Sequence, residues 1–199
     1  MPETEQPAPG FLSNSGFIAW GLYGVLIVVG HPTAAVWAGF VVMLALVTRE
    51  FSIGAVKIID CTSLIFFSLA LLTIVMTGHD LFIYRIVAAW GIFAVVAWTT
   101  VLVGFPFTLQ YARERAPREI WNAAPFHTMN VVMTVAWAVI FTLDTIFATL
   151  ALRGRYVLVL DAVIPTITLV LGYAFNRFYP EHFRKRFGTA PKNRNAALS

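Results

Sequence analysis

Six apolar runs, separated by short stretches of charged or turn residues, constrain the fold of this chain more than any other feature. Four of them are longer than 20 residues, which is the length that an α-helix needs to cross a hydrocarbon core of about 30 Å. Backbone groups in lipid must bond within their own segment, so each run predicts a helix. The runs are residues 16–30, 33–47, 53–77, 81–104, 126–152 and 157–178.

The composition excludes an ordinary soluble domain. Hydrophobic residues make up 59% of the chain and charged residues 12%, with a mean hydropathy of +0.77, whereas about a quarter of the residues in soluble domains are charged. We therefore expect an all-α fold, a polytopic transmembrane helical bundle of about six spans over residues 16–178. Residues 1–15 are expected to form a disordered lead, and residues 179–199 a basic cytoplasmic tail.

The first two runs are shorter than the others and are joined only by the turn His31-Pro32. Two interpretations follow from their length. They are either two tilted spans, completed by residues at the membrane surface, or the two arms of a re-entrant hairpin. Both interpretations leave the following helices in the same orientation.

The distribution of Lys and Arg predicts the orientation of the bundle. Alternating the six runs across the bilayer places eleven of the fourteen cations on the side of the N-terminus, and only Arg85, Arg153 and Arg155 on the other. Cytoplasmic loops carry an excess of Lys and Arg, so both chain ends are expected in the cytoplasm. The eleven are Arg49, Lys57, Arg113, Arg115, Arg118, Arg177, Arg184, Lys185, Arg186, Lys192 and Arg194.

The longest internal connection, residues 105–125, interleaves aromatic residues with Arg113, Arg115 and Arg118. We call it the interfacial segment, because this pattern predicts a stretch that lies along the cytoplasmic surface of the membrane and binds anionic headgroups. The alternative is a solvated basic connector. Pro117 is expected to end one helical piece of the segment and begin another.

The basic tail residues Arg184, Lys185 and Arg186 fit the same headgroup layer, or act simply as topological anchors. Anionic lipid also explains the net charge of +4. The basic residues are divided among several short stretches and form no nucleic-acid motif, so no nucleic-acid partner is predicted.

Three acids lie inside the apolar runs, where a charged side chain costs about 2.5–3.5 kcal/mol on insertion scales. Asp60 follows Lys57 by three residues, which predicts an ion pair near the cytoplasmic boundary. Asp144 and Asp161 flank the turn between the fifth and sixth runs. They are candidates for proton or cation handling. The alternative is structural, with Asn130, Thr142 and Thr145 satisfying the carboxylates through hydrogen bonds.

Motifs for metal, haem, phosphate or nucleophile chemistry are missing from the sequence. The four histidines lie at turns, near the inner boundary or in the tail, and none faces another within a span. We therefore predict no catalytic residue, no metal site and no cofactor. An enzyme is disfavoured but stays open.

Residues 106–141 carry a resemblance to a known family. Pro106, a basic segment, Trp121, Asn130, the run Ala136-Trp137-Ala138 and Phe141 follow one another in an order that resembles the intracellular septation protein A family. The similarity of layout covers nearly the whole chain, although the motif from Lys57 to Asp60 has no counterpart in it. The resemblance implies a six-span protein of the bacterial inner membrane, connected with envelope maintenance and septation, that acts through other membrane proteins.

Two functions from different classes follow. The first is a non-enzymatic inner-membrane protein with a partner or scaffold role in cell-envelope maintenance or septation, in contact with other membrane proteins or with copies of itself. The second is a small transporter or channel that uses Asp144 and Asp161 for protons or cations. They differ in whether water reaches the buried acids.

Overall fold

A computed structural model describes residues 16–78, 82–114, 116–154, 157 and 159–187. Among these, the side chains of residues 17, 82, 83, 161, 162 and 184–187 are left out of the description. The predicted lead at residues 1–15 and the end of the tail at residues 188–199 lie outside the described residues.

The described part of the chain is all-helical and contains seven α-helices. A 3₁₀ turn at Arg118–Ile120 follows α5, and a π-helical turn at Val159–Val163 precedes α7. The helices are α1 Gly16–Val28, α2 Pro32–Ile53, α3 Ile58–Thr77, α4 Phe82–Leu102, α5 Thr108–Arg113, α6 Ala124–Ala151 and α7 Ile164–Phe187.

Four helices, namely α2, α3, α4 and α6, are long and apolar enough to cross a membrane. In α4 the qualifying stretch begins at Tyr84. The four helices are compatible with the predicted membrane bundle. The total of six spans stays a prediction, because α1 as described has only 13 residues and the second half of α7 is polar and basic.

The expectation that the second run is short is wrong. The helix α2 continues past the charged pair Arg49-Glu50 for a total of 22 residues, or about 33 Å. It does so because Glu50 is buried and paired rather than solvated. It ends at Gly54, whose positive φ of 68° gives the left-handed cap that glycine adopts without steric cost. A full-length α2 cannot be one arm of a short re-entrant hairpin.

The last helix also extends further than the sixth apolar run, from Ile164 through Pro180 to Phe187. The rings of Phe175, Tyr179 and Phe183 are spaced four residues apart and lie 4.8 and 5.9 Å from one another in sequence order. Such i,i+4 contacts stabilise a helix. The first residues of the predicted tail are therefore helical.

Two apolar cores hold the helices together. The first lies among α1, α2 and α3, where Phe67 is fully buried and packs on the α2 backbone so closely that a Cβ at Gly39 would overlap its ring. The second lies between α4 and α6 around Phe93 and Phe141. Trp20 packs against both cores, so α1 joins the two halves of the bundle.

Candidate functional site

Four charged side chains meet where α2 ends, α3 begins and α5 crosses the same end of the bundle. Lys57 Nζ lies 3.1 Å from Glu114 Oε1 and 3.6 Å from Glu50 Oε1, and the buried carboxyl group of Asp60 lies near them in the first turn of α3. Glu50, Lys57 and Asp60 are each 5% exposed or less. We call these four residues the acid–lysine cluster.

The local sequence explains how the first three residues of the cluster come together. After the cap at Gly54, the chain runs through Ala55 and Val56 to Lys57, whose backbone N–H donates to Glu50 Oε2 at 3.2 Å. Lys57 also caps α3, and Asp60 lies in the first turn of that helix, where the helix dipole favours a carboxylate.

The interfacial segment supplies the remaining contacts of the cluster. Gln110 in α5 accepts from the backbone N–H of Ile58 at 2.9 Å and donates to the carbonyl of Val56 at 3.4 Å. Lys57 Nζ lies 5.2 Å from the centre of the Tyr111 ring, within the range of a cation–π contact. These bonds attach α5 to the connection between α2 and α3.

Tyr111 is the neutral member of this arrangement. Burial of its phenol raises the pKa well above the usual value of 10.0, and the nearby carboxylates of Asp60, Glu50 and Glu114 raise it further. Tyr111 therefore stays protonated next to the lysine over the physiological pH range.

The cluster contains three acids and one base. Two of the acids, Glu50 and Asp60, are buried together with the lysine. The start of α1 closes the site from the side, since a Cβ at Gly16 would overlap the Asp60 carboxylate. The arrangement therefore buries two carboxyl groups beside a lysine at this end of the bundle.

Asp144 lies apart from the cluster, fully buried in α6. The hydroxyl of Thr168 in α7 donates to its carboxylate, at 2.9 Å from Oδ1 and 3.0 Å from Oδ2. Asp144 thus links α6 to α7 by a hydrogen bond between helices. Asp161, its predicted companion, lies in the π-helical turn before α7, and its side chain is outside the described part of the chain.

The side chains predicted to support Asp144 and Asp161 bond to backbone carbonyls in α6. The hydroxyls of Thr142 and Thr145 donate to the carbonyls of Ala138 and Phe141, one turn earlier in α6, so their protons are not directed at the carboxylate. Asn130 donates to the carbonyl of Phe126. Thr168 was not predicted, because its partner is 24 residues away in sequence.

Asn130 makes its hydrogen bonds with other groups than the predicted carboxylates. It is fully buried, and its backbone carbonyl accepts from Thr108 Oγ1 at 2.9 Å, while Thr108 Oγ1 also lies 2.8 Å from Thr134 Oγ1. These bonds attach the start of α5 to α6. The interfacial segment is therefore fixed at both ends of α5.

The predicted headgroup residues are described only in part. Arg113 and Arg118 lie against Trp121, with guanidinium carbons 5.5 and 5.7 Å from its ring centre. Pro117 separates α5 from the 3₁₀ turn, as predicted. Arg115 and the side chains of Arg184, Lys185 and Arg186 lie outside the described residues.

The sequence analysis identified Lys57 and Asp60 but missed Glu50 and Glu114. Glu50 follows an apolar run and precedes Lys57 by seven residues, which gives no helical signal because Gly54 breaks the helix between them. Glu114 lies in the interfacial segment, far from Lys57 in sequence, yet it pairs with Lys57. A glutamate at the end of an apolar helix, followed by a glycine cap, was the available signal.

Fold and site together define an all-helical protein whose four long apolar helices are compatible with a membrane protein, and which carries buried charge at one end of the bundle. A scan against protein-family models matches none. Searches among curated proteins and among solved structures also find no match.

Proposed function

We propose that this chain is a multi-pass protein of the bacterial inner membrane with a non-enzymatic partner or scaffold role in cell-envelope maintenance or septation. The observation that carries the proposal is the attachment of the interfacial segment to the bundle through the acid–lysine cluster. This attachment favours a role of the segment as a surface for contact with other proteins, because a segment that is already ordered loses little conformational entropy on binding.

Three independent attachments support this role for the segment. Glu114 pairs with Lys57, Gln110 bonds to the connection before α3, and Thr108 bonds to α6. A connector whose only task is to join α4 to α6 would need none of them. The apolar side chain of Ile120, 42% exposed, extends outward from the segment so fixed.

The septation part of the proposal depends on the similarity of layout described above. The order of Pro106, Trp121, Asn130 and Trp137 along the chain also resembles that family. The cytoplasmic position of both chain ends follows from the division of the cations and the positive-inside rule.

The test is complementation of a deletion strain of the source bacterium, scored by cell length and envelope integrity. Glu114→Lys places a second cation beside Lys57 and detaches the segment, so it should fail to restore the wild-type phenotype. Glu119→Lys makes the same change of charge at an exposed position of the 3₁₀ turn and should complement. The proposal is wrong if the deletion leaves the envelope intact, or if both variants complement equally.

The alternative function is transport of protons or cations, as first expected for Asp144 and Asp161. The observation that favours it is the burial of two acids, Glu50 and Asp60, beside Lys57. Another acid, Asp144, is buried in α6 with Thr168 as its hydrogen-bond donor. Buried acids in membrane helices commonly belong to ion pathways.

Proteoliposomes with an internal pH-sensitive dye test this alternative. A proton pathway predicts an uptake signal that Asp60→Asn or Asp144→Asn lowers by at least about tenfold. Thr168→Val is the matched control for Asp144, because it removes the hydrogen bond and keeps the acid. Uptake that is absent in the wild type, or unchanged in both Asn variants, excludes the pathway.

A further inference from the structure

We infer that Arg113, Arg118 and Trp121 form a binding site for the phosphate of an anionic phospholipid headgroup. All three belong to the interfacial segment, between the end of α4 at Leu102 and the start of α6 at Ala124. Both helices are long and apolar enough to span. The segment that joins them therefore lies at the bilayer surface, at the level of the lipid phosphates.

The Trp121 ring organises the two arginines. Its Nε1–H donates to the carbonyl of Ala116 at 2.9 Å, which fixes the orientation of the ring. The Arg113 guanidinium lies between this ring, at 5.5 Å, and the ring of Phe105, at 5.6 Å, and the Arg118 guanidinium lies 5.7 Å from the Trp121 centre. Guanidinium groups held on aromatic faces keep their N–H donors in a fixed plane, which suits phosphate oxygens.

The positive charge of this pair is not cancelled by the nearest acid. Glu114 directly follows Arg113 in sequence, yet its carboxylate is turned to Lys57 at 3.1 Å. The ion pairs found among the described residues join Lys57 to Glu50 and to Glu114 and involve neither arginine. The acid–lysine cluster thus removes a carboxylate from the surface on which Arg113 and Arg118 lie.

The surroundings favour a lipid over a soluble phosphate compound. Phe105 is 39% exposed and Ile120 is 42% exposed, so apolar surface lies on the same segment as the two arginines. Apolar side chains next to basic ones, with a tryptophan between them, are the pattern of protein surfaces that sit in the headgroup layer. A soluble anion would gain nothing from the apolar part of this surface.

Native mass spectrometry of the full chain, released from detergent with titrated phosphatidylglycerol or phosphatidylcholine, tests the site. Phosphatidylglycerol should bind more tightly than phosphatidylcholine. The pair Arg113→Gln and Arg118→Gln should weaken phosphatidylglycerol binding by about thirtyfold, the loss expected for two basic residues at a lipid surface. The control pair Arg49→Gln and Arg153→Gln removes the same charge from exposed positions elsewhere and should change binding by less than about threefold.

Two further arms keep the test decisive. Arg113→Lys with Arg118→Lys retains the charge and loses the planar donor pattern, so it should still weaken binding severalfold; this pair replaces the glutamine pair if the latter fails to fold. Inorganic phosphate, added in excess, should not displace the lipid. Displacement by phosphate, equal losses in the glutamine and control pairs, or wild-type binding by the lysine pair would each overturn the inference.

Discussion

At the scale of single residues, the buried charges of the acid–lysine cluster are stabilised by neighbouring charges of opposite sign. Lys57 and Glu50 are almost completely buried, and each has an opposite charge within 4 Å. A buried ion pair is expensive to form but more expensive to break, because the remaining charge is left without a partner. This asymmetry makes Lys57 the residue whose substitution should be most informative.

Replacement of Lys57 by Met should lower the free energy of unfolding by about 3 kcal/mol, since it leaves Glu50 buried without its cation. The loss is at the lower end of the range for buried pairs because Glu114 is 30% exposed at its side chain and water can solvate it. Unfolding in detergent with increasing denaturant measures the effect. Arg49→Met, at an exposed position of the same helix, is the control and should change stability little; equal losses would contradict the buried pairing.

Ionisation of Tyr111 should lower the stability of the folded protein at alkaline pH. Its pKa is raised above 10.0 in the folded protein, first by burial and then by the neighbouring carboxylates. Its contribution to stability is therefore complete below a pH of about 10 and is lost as the pH rises from there through the folded pKa.

A spectrophotometric titration of phenolate absorbance checks this expectation. The difference between wild type and Tyr111→Phe isolates the one tyrosine and should show ionisation well above pH 10. A difference curve centred at the usual tyrosine pKa would mean that the phenol is solvated and that α5 is not packed on the cluster.

At the scale of helices, close approach of backbones decides how the bundle packs. α1, α2 and α3 pack around Phe67, and α4 packs against α6 around Phe93 and Phe141. At two glycines inside helices, an apolar side chain of a neighbouring helix occupies the space of a Cβ: Phe67 does so at Gly39 and Ile140 at Gly172. Small residues at helix contacts allow this approach in membrane bundles.

Gly39→Ala should destabilise the bundle by about 1–3 kcal/mol, because the added methyl group overlaps the fully buried Phe67 ring and forces one helix to shift. Gly21→Ala in α1 is the matched control. Its Cβ would meet nothing within 4 Å, and alanine is the better helix former, so stability should stay the same or rise. Thermal midpoints in detergent distinguish the two, and similar midpoints would refute the packing of α2 on α3.

At the scale of the whole molecule, three of the polar groups described above belong to two connections of the chain. One connection joins α2 to α3 and carries most of the acid–lysine cluster. The other joins α4 to α6 and, with the adjoining helix ends, carries Thr108 with Asn130 and the pair Arg113 and Arg118. In an alternating bundle these two connections lie at the same end. The division of cations predicts that this end faces the cytoplasm.

Labelling with a membrane-impermeant maleimide tests this orientation in a Cys61→Ser background. Ala55→Cys, in the exposed turn after α2, should react only after the cells are permeabilised, whereas Arg153→Cys, in the exposed turn after α6, should react in intact cells. Labelling of both positions from the same side would exclude an odd number of crossings between them.

The sequence by itself determined the helical class, the positions of α3, α4 and α6 and the break at Pro117, because apolar runs and proline act through local chemistry that needs no tertiary partner. From the spacing of three residues it also predicted an ion pair of Lys57 with Asp60, which stays a prediction. Tertiary structure alone decided the length of α2, the pairing of Lys57 with Glu50 and Glu114, and the bond from Thr168 to Asp144. Each of these features depends on contacts between residues that lie on different helices or on opposite sides of a turn. Periodicity along one helix carries no information about which side chains meet in such contacts.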